Sequence, residues 1–210
     1  MLWTILVVLI TLGILLAAEW LSRARGIHAE LTRKFVHMAV GTFVAFWPFF
    51  LSWSQIQVLS FAFFVVVLAS IKFDIFRSIH AVKRNASGEL LFAMVIGFLS
   101  LIAQTPWVFA AAMLNLSLAD GLAAIVGLLY GDNNQYKVFG RTKSKAGTAA
   151  FFITSLLIMV AVALFSNESV TPLAFILIPA LAAITENVAP HGSDNLVMPL
   201  LVALLLSSSL

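Results

Sequence analysis

The chain has 210 residues, 62% of them hydrophobic and 10% charged, where a soluble domain carries about 45–50% apolar and about 25% charged residues. With a mean hydropathy of +1.07, this excludes a soluble enzyme and a disordered chain and predicts a polytopic membrane protein. Cysteine is absent, which excludes disulfides, thiolate metal sites and cysteine nucleophiles, and the net charge of +3 reports membrane topology rather than nucleic acid.

Eight apolar segments follow one another at 2–21, 35–51, 55–71, 90–103, 107–130, 149–165, 173–189 and 196–206. A span takes about 20 residues, so no room remains for a soluble domain, and 1–210 reads as a single integral membrane domain. The first segment is too long for a signal-peptide core and has no basic residue before it, so it reads as a retained helix. The fold expected is all-α, a bundle of about eight transmembrane helices. The run 72–89 extends the third segment, with Ile75, Phe76, Ile79 and Val82 on one helical face. It reads equally as an interfacial helix on anionic lipid or as a solvated connector.

All twelve Lys and Arg residues fall in three connections. Arg23, Arg25, Arg33 and Lys34 lie in the first, Lys72, Arg77, Lys83 and Arg84 in the second, and Lys137, Arg141, Lys143 and Lys145 in the third. Eight spans put all three on one side, and the positive-inside rule makes that side cytoplasmic, with both termini outside. The location expected is the plasma membrane of a prokaryote. The acids, except Glu168, gather near the same face, so any chemistry is expected there.

Four constellations stand out. Asp120 lies inside the fifth segment, where an ionisable group is functional by default. Ser117, Asp120, Ala124, Gly127 and Gly131 form a polar or small stripe at helical spacing. The alternative is a packing face with Asp120 paired to a neighbouring Arg or Lys. Next, 140–147 (Gly-Arg-Thr-Lys-Ser-Lys-Ala-Gly) joins cations, hydroxyls and glycines just before a helix whose free N-terminal amides would favour an anion. It lacks Walker A spacing and is otherwise an ordinary basic loop. Glu186, His191, Asp194 and Asn195 offer hard oxygen ligands suited to magnesium, unless Asp194 only caps the last helix. Arg33 and His37 share a helix face and, with Lys34, could touch phosphate or simply anchor a helix end. One membrane face thus gathers acids for a divalent cation and bases for phosphates.

These same residues resemble a known family, the CTP-dependent lipid-alcohol kinases (phytol, farnesol and dolichol kinases and the CTP-dependent diacylglycerol kinase). Arg33-Lys34-Phe35-Val36-His37 looks like the family's Arg-Lys-x-x-His. Lys83-Arg84 with Gly88-Glu89 looks like its next cytoplasmic stretch. Ala119-Asp120-Gly121 through Gly127, then Lys143-Ser144-Lys145-Ala146-Gly147-Thr148, resembles its Gly-Asp-Gly and Lys-Ser-x-x-Gly signature. Glu186 and Ser193-Asp194-Asn195-Leu196-Val197-Met198-Pro199 resemble its late Glu and Asp-Asn-x-x-x-Pro segments. Ala119 and Ser193 depart from the usual Gly and Asp. The central motif is also similar to that of phosphatidate cytidylyltransferases, but the chain lacks their Ser-Pro before the lysines.

The resemblance implies transfer of the γ-phosphate of CTP to a lipid hydroxyl at the cytoplasmic face, on phytol, another polyprenol or diacylglycerol. Asp120, Asp194 and Asn195 would hold magnesium, with Glu186 or Glu89 as a further ligand or general base. Arg141, Lys143, Ser144 and Lys145, Gly127 and Gly147, and Arg33, Lys34 and His37 would contact the nucleotide. The partners implied are a membrane lipid and a nucleoside triphosphate, with no nucleic acid. The alternatives are a cytidylyltransferase, which would release pyrophosphate, and a transporter. Against a transporter, the outer half of the spans holds no ionisable residue to line a path.

Overall fold

The computed structural model describes residues 2–25, 29–73, 87–190 and 192–210, without the side chains of 18, 19, 21–25, 29–33 and 87. Lys83, Arg84, His191 and most of the extension expected over 72–89 lie outside the described residues, as does the side chain of Arg33. In chain order the elements are α1 (Leu2–Arg25), α2 (Ala29–Ala45), a 3-10 turn (Trp47–Phe49), α3 (Trp53–Phe73), α4 (Ser87–Ile102), α5 (Pro106–Tyr130), β1 (Gln135–Val138), β2 (Arg141–Ser144), α6 (Lys145–Phe165), α7 (Ala174–Val188) and α8 (Asp194–Ser207). Among the described residues the fold is all-α apart from one hairpin, and each expected apolar segment corresponds to one helix. Three helices among the described residues, α3, α5 and α6, are long and apolar enough to cross a membrane.

Local chemistry moves the helix ends away from the hydropathy limits. Helix α2 starts at Ala29, ahead of the apolar run, because Ala, Glu, Leu, Arg and Lys are strong helix formers whatever their polarity. It stops at Ala45, where Pro48 removes a donor and restricts the residue before it. Helix α5 opens on Thr105, whose hydroxyl accepts from the Val108 amide at 3.3 Å, with Pro106 in the first turn.

Helix α5 is the axis of the bundle. Half of its apolar window (50%) is buried, against 17% for α3 and 28% for α6. Helices α2, α6 and α8 pack around it. Helix α4 lies between α3 and α8, α7 closes the gap between α6 and α8, and α1 rests on α2. Phe109, Met113, Leu116, Phe151, Met159 and Met198 fill the centre, while Phe61, Leu157 and Leu164 project outward. Apolar side chains on the outside are what lipid-facing helices need, and association then depends on close packing at small residues. A Cβ on Gly147 would sit 2.8 Å from the Ala123 carbonyl and 3.4 Å from Gly127 Cα. The α5–α6 crossing is therefore built on these two glycines.

The connection from 131 to 144, expected as a basic loop, is an antiparallel hairpin pairing Gln135 with Ser144, Tyr136 with Lys143, Lys137 with Thr142 and Val138 with Arg141. Its two-residue loop, Phe139-Gly140, has φ of +46° and +77°. Positive φ at both positions matches the right-handed twist of paired strands, and glycine makes the second cheap.

Candidate active site

Helices α2 and α5 build the first half of the site. Asp120 is buried, and the Lys34 ammonium donates to its Oδ2 at 2.6 Å. His37, one turn along α2 on the same face, places Nε2 3.9 Å from the same oxygen. That Nε2 also lies 3.0 Å from the Leu116 carbonyl, which can only accept, so the ring proton is on Nε2. A π turn over Asn115–Ala119 makes this contact possible. The Asp120 amide donates to the Asn115 and Ser117 carbonyls, and His37 donates to that of Leu116. Such turns inside α-helices are often found at functional sites.

Helices α7 and α8 supply the second half. Glu186 is buried on α7, and the Lys143 ammonium of β2 donates to its Oε1 and also lies 3.3 Å from its backbone oxygen. Asp194 opens α8. Asp120, Glu186 and Asp194 each turn a carboxylate oxygen to a common point, within 4.8 Å of one another. Among the described residues, helix α8 has no side-chain cap and Asp194 Oδ1 is buried without a hydrogen-bond partner, so the capping role open to Asp194 is not what it does. Three hard oxygen donors around one point, one of them orphaned, fit a divalent cation. Glu89, in the first turn of α4, is not part of this group. Asn195 Nδ2 donates to the Gly88 carbonyl at 2.8 Å and ties α8 to α4.

The hairpin brings the remaining cations. Lys143 faces Glu186, and Arg141, two residues away on the same face, donates to the Ala189 carbonyl at the end of α7. Lys145 is exposed. One expectation is corrected here. The N-terminal amides of α6 are not free for an anion, because Ser144 Oγ accepts from Gly147 N at 3.1 Å and Asn134 Oδ1 from Ala146 N at 3.2 Å. Asn134 also accepts, through its carbonyl, from Lys145 N at 3.0 Å. Capping competes directly with anion binding for the same donors. The cations this point offers an anion are therefore the side chains of the hairpin, not the helix amides.

The chain is 34% identical over 201 residues to a phytol kinase of Synechocystis sp., an alignment covering 92% of this chain and 85% of that protein. The chain belongs to the CTP-dependent lipid-alcohol kinase family. No protein-family model and no solved structure matches it. As a lipid kinase of the membrane it needs a nucleotide donor and a lipid acceptor. Its three clustered carboxylates and the two lysines paired with them come from α2, α5, the hairpin, α7 and α8.

Motif reasoning missed Tyr136 and Asn187 and gave Thr148, at the end of the quoted signature, no role of its own. Tyr136, Thr148 and Asn187 bond one another where β1, α6 and α7 meet. Tyr136 sits among charges that dominate the reading of its segment. Asn187 follows Glu186, and only its polarity on an apolar helix marks it.

Proposed function

We propose that this lipid kinase transfers the γ-phosphate of CTP to the hydroxyl of a membrane lipid alcohol, with phytol the first acceptor to test. The supporting observation is the meeting of Asp120, Glu186 and Asp194 with Lys34 and Lys143 in one cluster, in a chain similar to a phytol kinase. CTP as the donor comes from the motif resemblance. Asp120, Glu186 and Asp194 would hold magnesium, which when bound neutralises phosphate charge as transfer proceeds. Lys143 and Arg141 would turn from their protein acceptors to the phosphates. Lys34 and His37 would stabilise the charge developing on the transferred group. With Glu186 among the metal ligands, Glu89 is the carboxylate left to receive the acceptor proton. It lies next to Gly88, whose carbonyl holds Asn195 beside Asp194. Little covalent chemistry falls to the protein in phosphoryl transfer, so positioned charge is sufficient.

The test is to incubate purified protein with CTP, magnesium and a panel of phytol, polyprenols and diacylglycerol, and to identify both products. CDP with a lipid phosphate is the expected pair. Pyrophosphate with a CDP-lipid, formed when a lipid phosphate such as phosphatidate replaces the alcohols, would identify a cytidylyltransferase, and no turnover with any alcohol would reject the reading.

All eight helices would cross or enter the membrane, with the three basic connections cytoplasmic. Lys137 and Asn167 are both exposed and report the two sides. In intact cells, cysteine at Asn167 should react with an impermeant maleimide and cysteine at Lys137 should not. The reverse pattern would place the site away from cytoplasmic nucleotide.

A further inference from the structure

A two-stranded ribbon is marginal on its own, and Gln135, Lys137 and Thr142 on one face of this hairpin are exposed. Its base is fixed to α6 by Ser144 and Asn134, and over α7 it is held by side chains of the other face: Tyr136, Arg141 and Lys143. Two of these anchors are cations, and the reading of the hairpin as the phosphate-binding arm requires them to release Glu186 and the Ala189 carbonyl when phosphates arrive. Tyr136 is the neutral anchor.

Tyr136 pairs with Lys143 across the ribbon, so both side chains leave the same face as neighbours. They meet consecutive residues of α7. Lys143 meets Glu186, and the Tyr136 hydroxyl donates to Asn187 Oδ1 at 2.6 Å. Asn187 Nδ2 donates to the Ala183 carbonyl at 2.7 Å, which fixes the amide so that Oδ1 faces Tyr136. The Tyr136 proton being used, the contact with Thr148 has Thr148 Oγ1 donating to the phenol oxygen. Asn187 Nδ2 in turn donates to Thr148 Oγ1 at 3.3 Å. The result is a closed ring of three donors and three acceptors joining β1, α6 and α7, in which each bond polarises the next.

We propose that Tyr136 is a positioning residue: its hydroxyl fixes the hairpin over α7 and so sets where Lys143 presents its ammonium to the nucleotide phosphates. The proposal rests on the phosphate-arm reading of the hairpin. Tyr136→Phe keeps the ring and removes the hydroxyl. Thr148 and Asn187 still have each other, since Thr148 Oγ1 lies 3.4 Å from Asn187 Oδ1, so no buried group is orphaned. Tyr136→Phe should raise the KM for nucleotide about tenfold, the scale of losing one or two hydrogen bonds. The lipid KM and the melting temperature in detergent should stay at wild-type values. In a double-mutant cycle, the effect of Lys143→Ala on nucleotide KM should shrink when Phe is already at 136.

If Lys143→Ala raises nucleotide KM while Tyr136→Phe does not, the positioning role is overturned and the phosphate arm stands. If Lys143→Ala itself leaves nucleotide KM at wild type, the arm reading fails and the proposal with it. Strict additivity of the two changes, or a Tyr136→Phe protein that melts lower with unchanged nucleotide KM, makes the ring structural only and also overturns it.

Discussion

Asp120→Asn is expected to cut turnover by about a hundredfold to a thousandfold or more while leaving a folded protein. Asn fills the same volume in the tightly packed stretch of α5 and keeps a carbonyl oxygen for the Lys34 ammonium. What it removes is the negative charge that a divalent cation needs, at the carboxylate of the cluster nearest Lys34 and His37. Phosphoryl transfer by a charge-positioning enzyme has little to substitute for it. The Lys34–Asp120 pair makes the competing structural role concrete. The side chains are 14% and 11% exposed, and breaking such a pair by removing one partner costs about 3–5 kcal/mol when the other charge is left alone. A purely structural pair therefore predicts a lower melting temperature with full activity per folded molecule. A catalytic carboxylate predicts the opposite division. Melting in detergent and CTP-dependent lipid phosphorylation, measured on one preparation, separate the two. A destabilised variant that stays active per folded molecule would return Asp120 to helix packing.

The helices were legible in the sequence because an apolar run of bilayer length is rarely anything but a membrane-embedded helix. Their ends were less so. Hydropathy starts the second segment at Phe35, so Arg33 and Lys34 read as a boundary. The backbone continues through them from Ala29, because helix propensity does not depend on polarity. That difference matters for the site, since a lysine inside α2 can reach Asp120, 86 residues further along the chain. The carboxylates at 120, 186 and 194 were each legible from local chemistry. The resemblance implied that they serve one magnesium; the choice of Glu186 over Glu89, the approach within 4.8 Å and the lysine paired with each of the first two are set by tertiary packing. The hairpin was obscured for a different reason. Tyr136, Val138 and Thr142 favour strands and Gly140 favours a tight turn, but the clustered cations drew the reading to topology and anion binding and away from backbone shape. The same habit left the α6 amides free for an anion, when Ser144 three residues before Gly147 was a capping signal in plain view.

Lys34→Met should have effects of opposite sign on the metal and on the nucleotide. In the metal-free protein the ammoniums of Lys34 and Lys143 stand against the carboxylates of Asp120 and Glu186, and so offset much of the repulsion within the cluster. A divalent cation entering the same cluster competes with them. Removing the Lys34 charge therefore leaves Asp120 as a buried, unpaired carboxylate, and the variant should melt lower in EDTA. Magnesium alone should then restore stability, raising the melting temperature by more than it does in the wild-type protein, because it replaces the missing cation. Its apparent affinity should rise by about tenfold or more, as a like charge a few ångströms away has been removed. Nucleotide affinity should fall, since the phosphates lose a cation that the metal cannot replace. The double change Lys34→Met with Asp120→Asn should melt higher in EDTA than Lys34→Met alone, having no orphaned charge. It should also lose the enhanced response to magnesium. Magnesium binding to Lys34→Met that matched or fell below wild type would show that Lys34 and the metal do not contend for Asp120. The carboxylates would then form an ion-pair network of the fold, and the metal of the reaction would have to be sought elsewhere on this face.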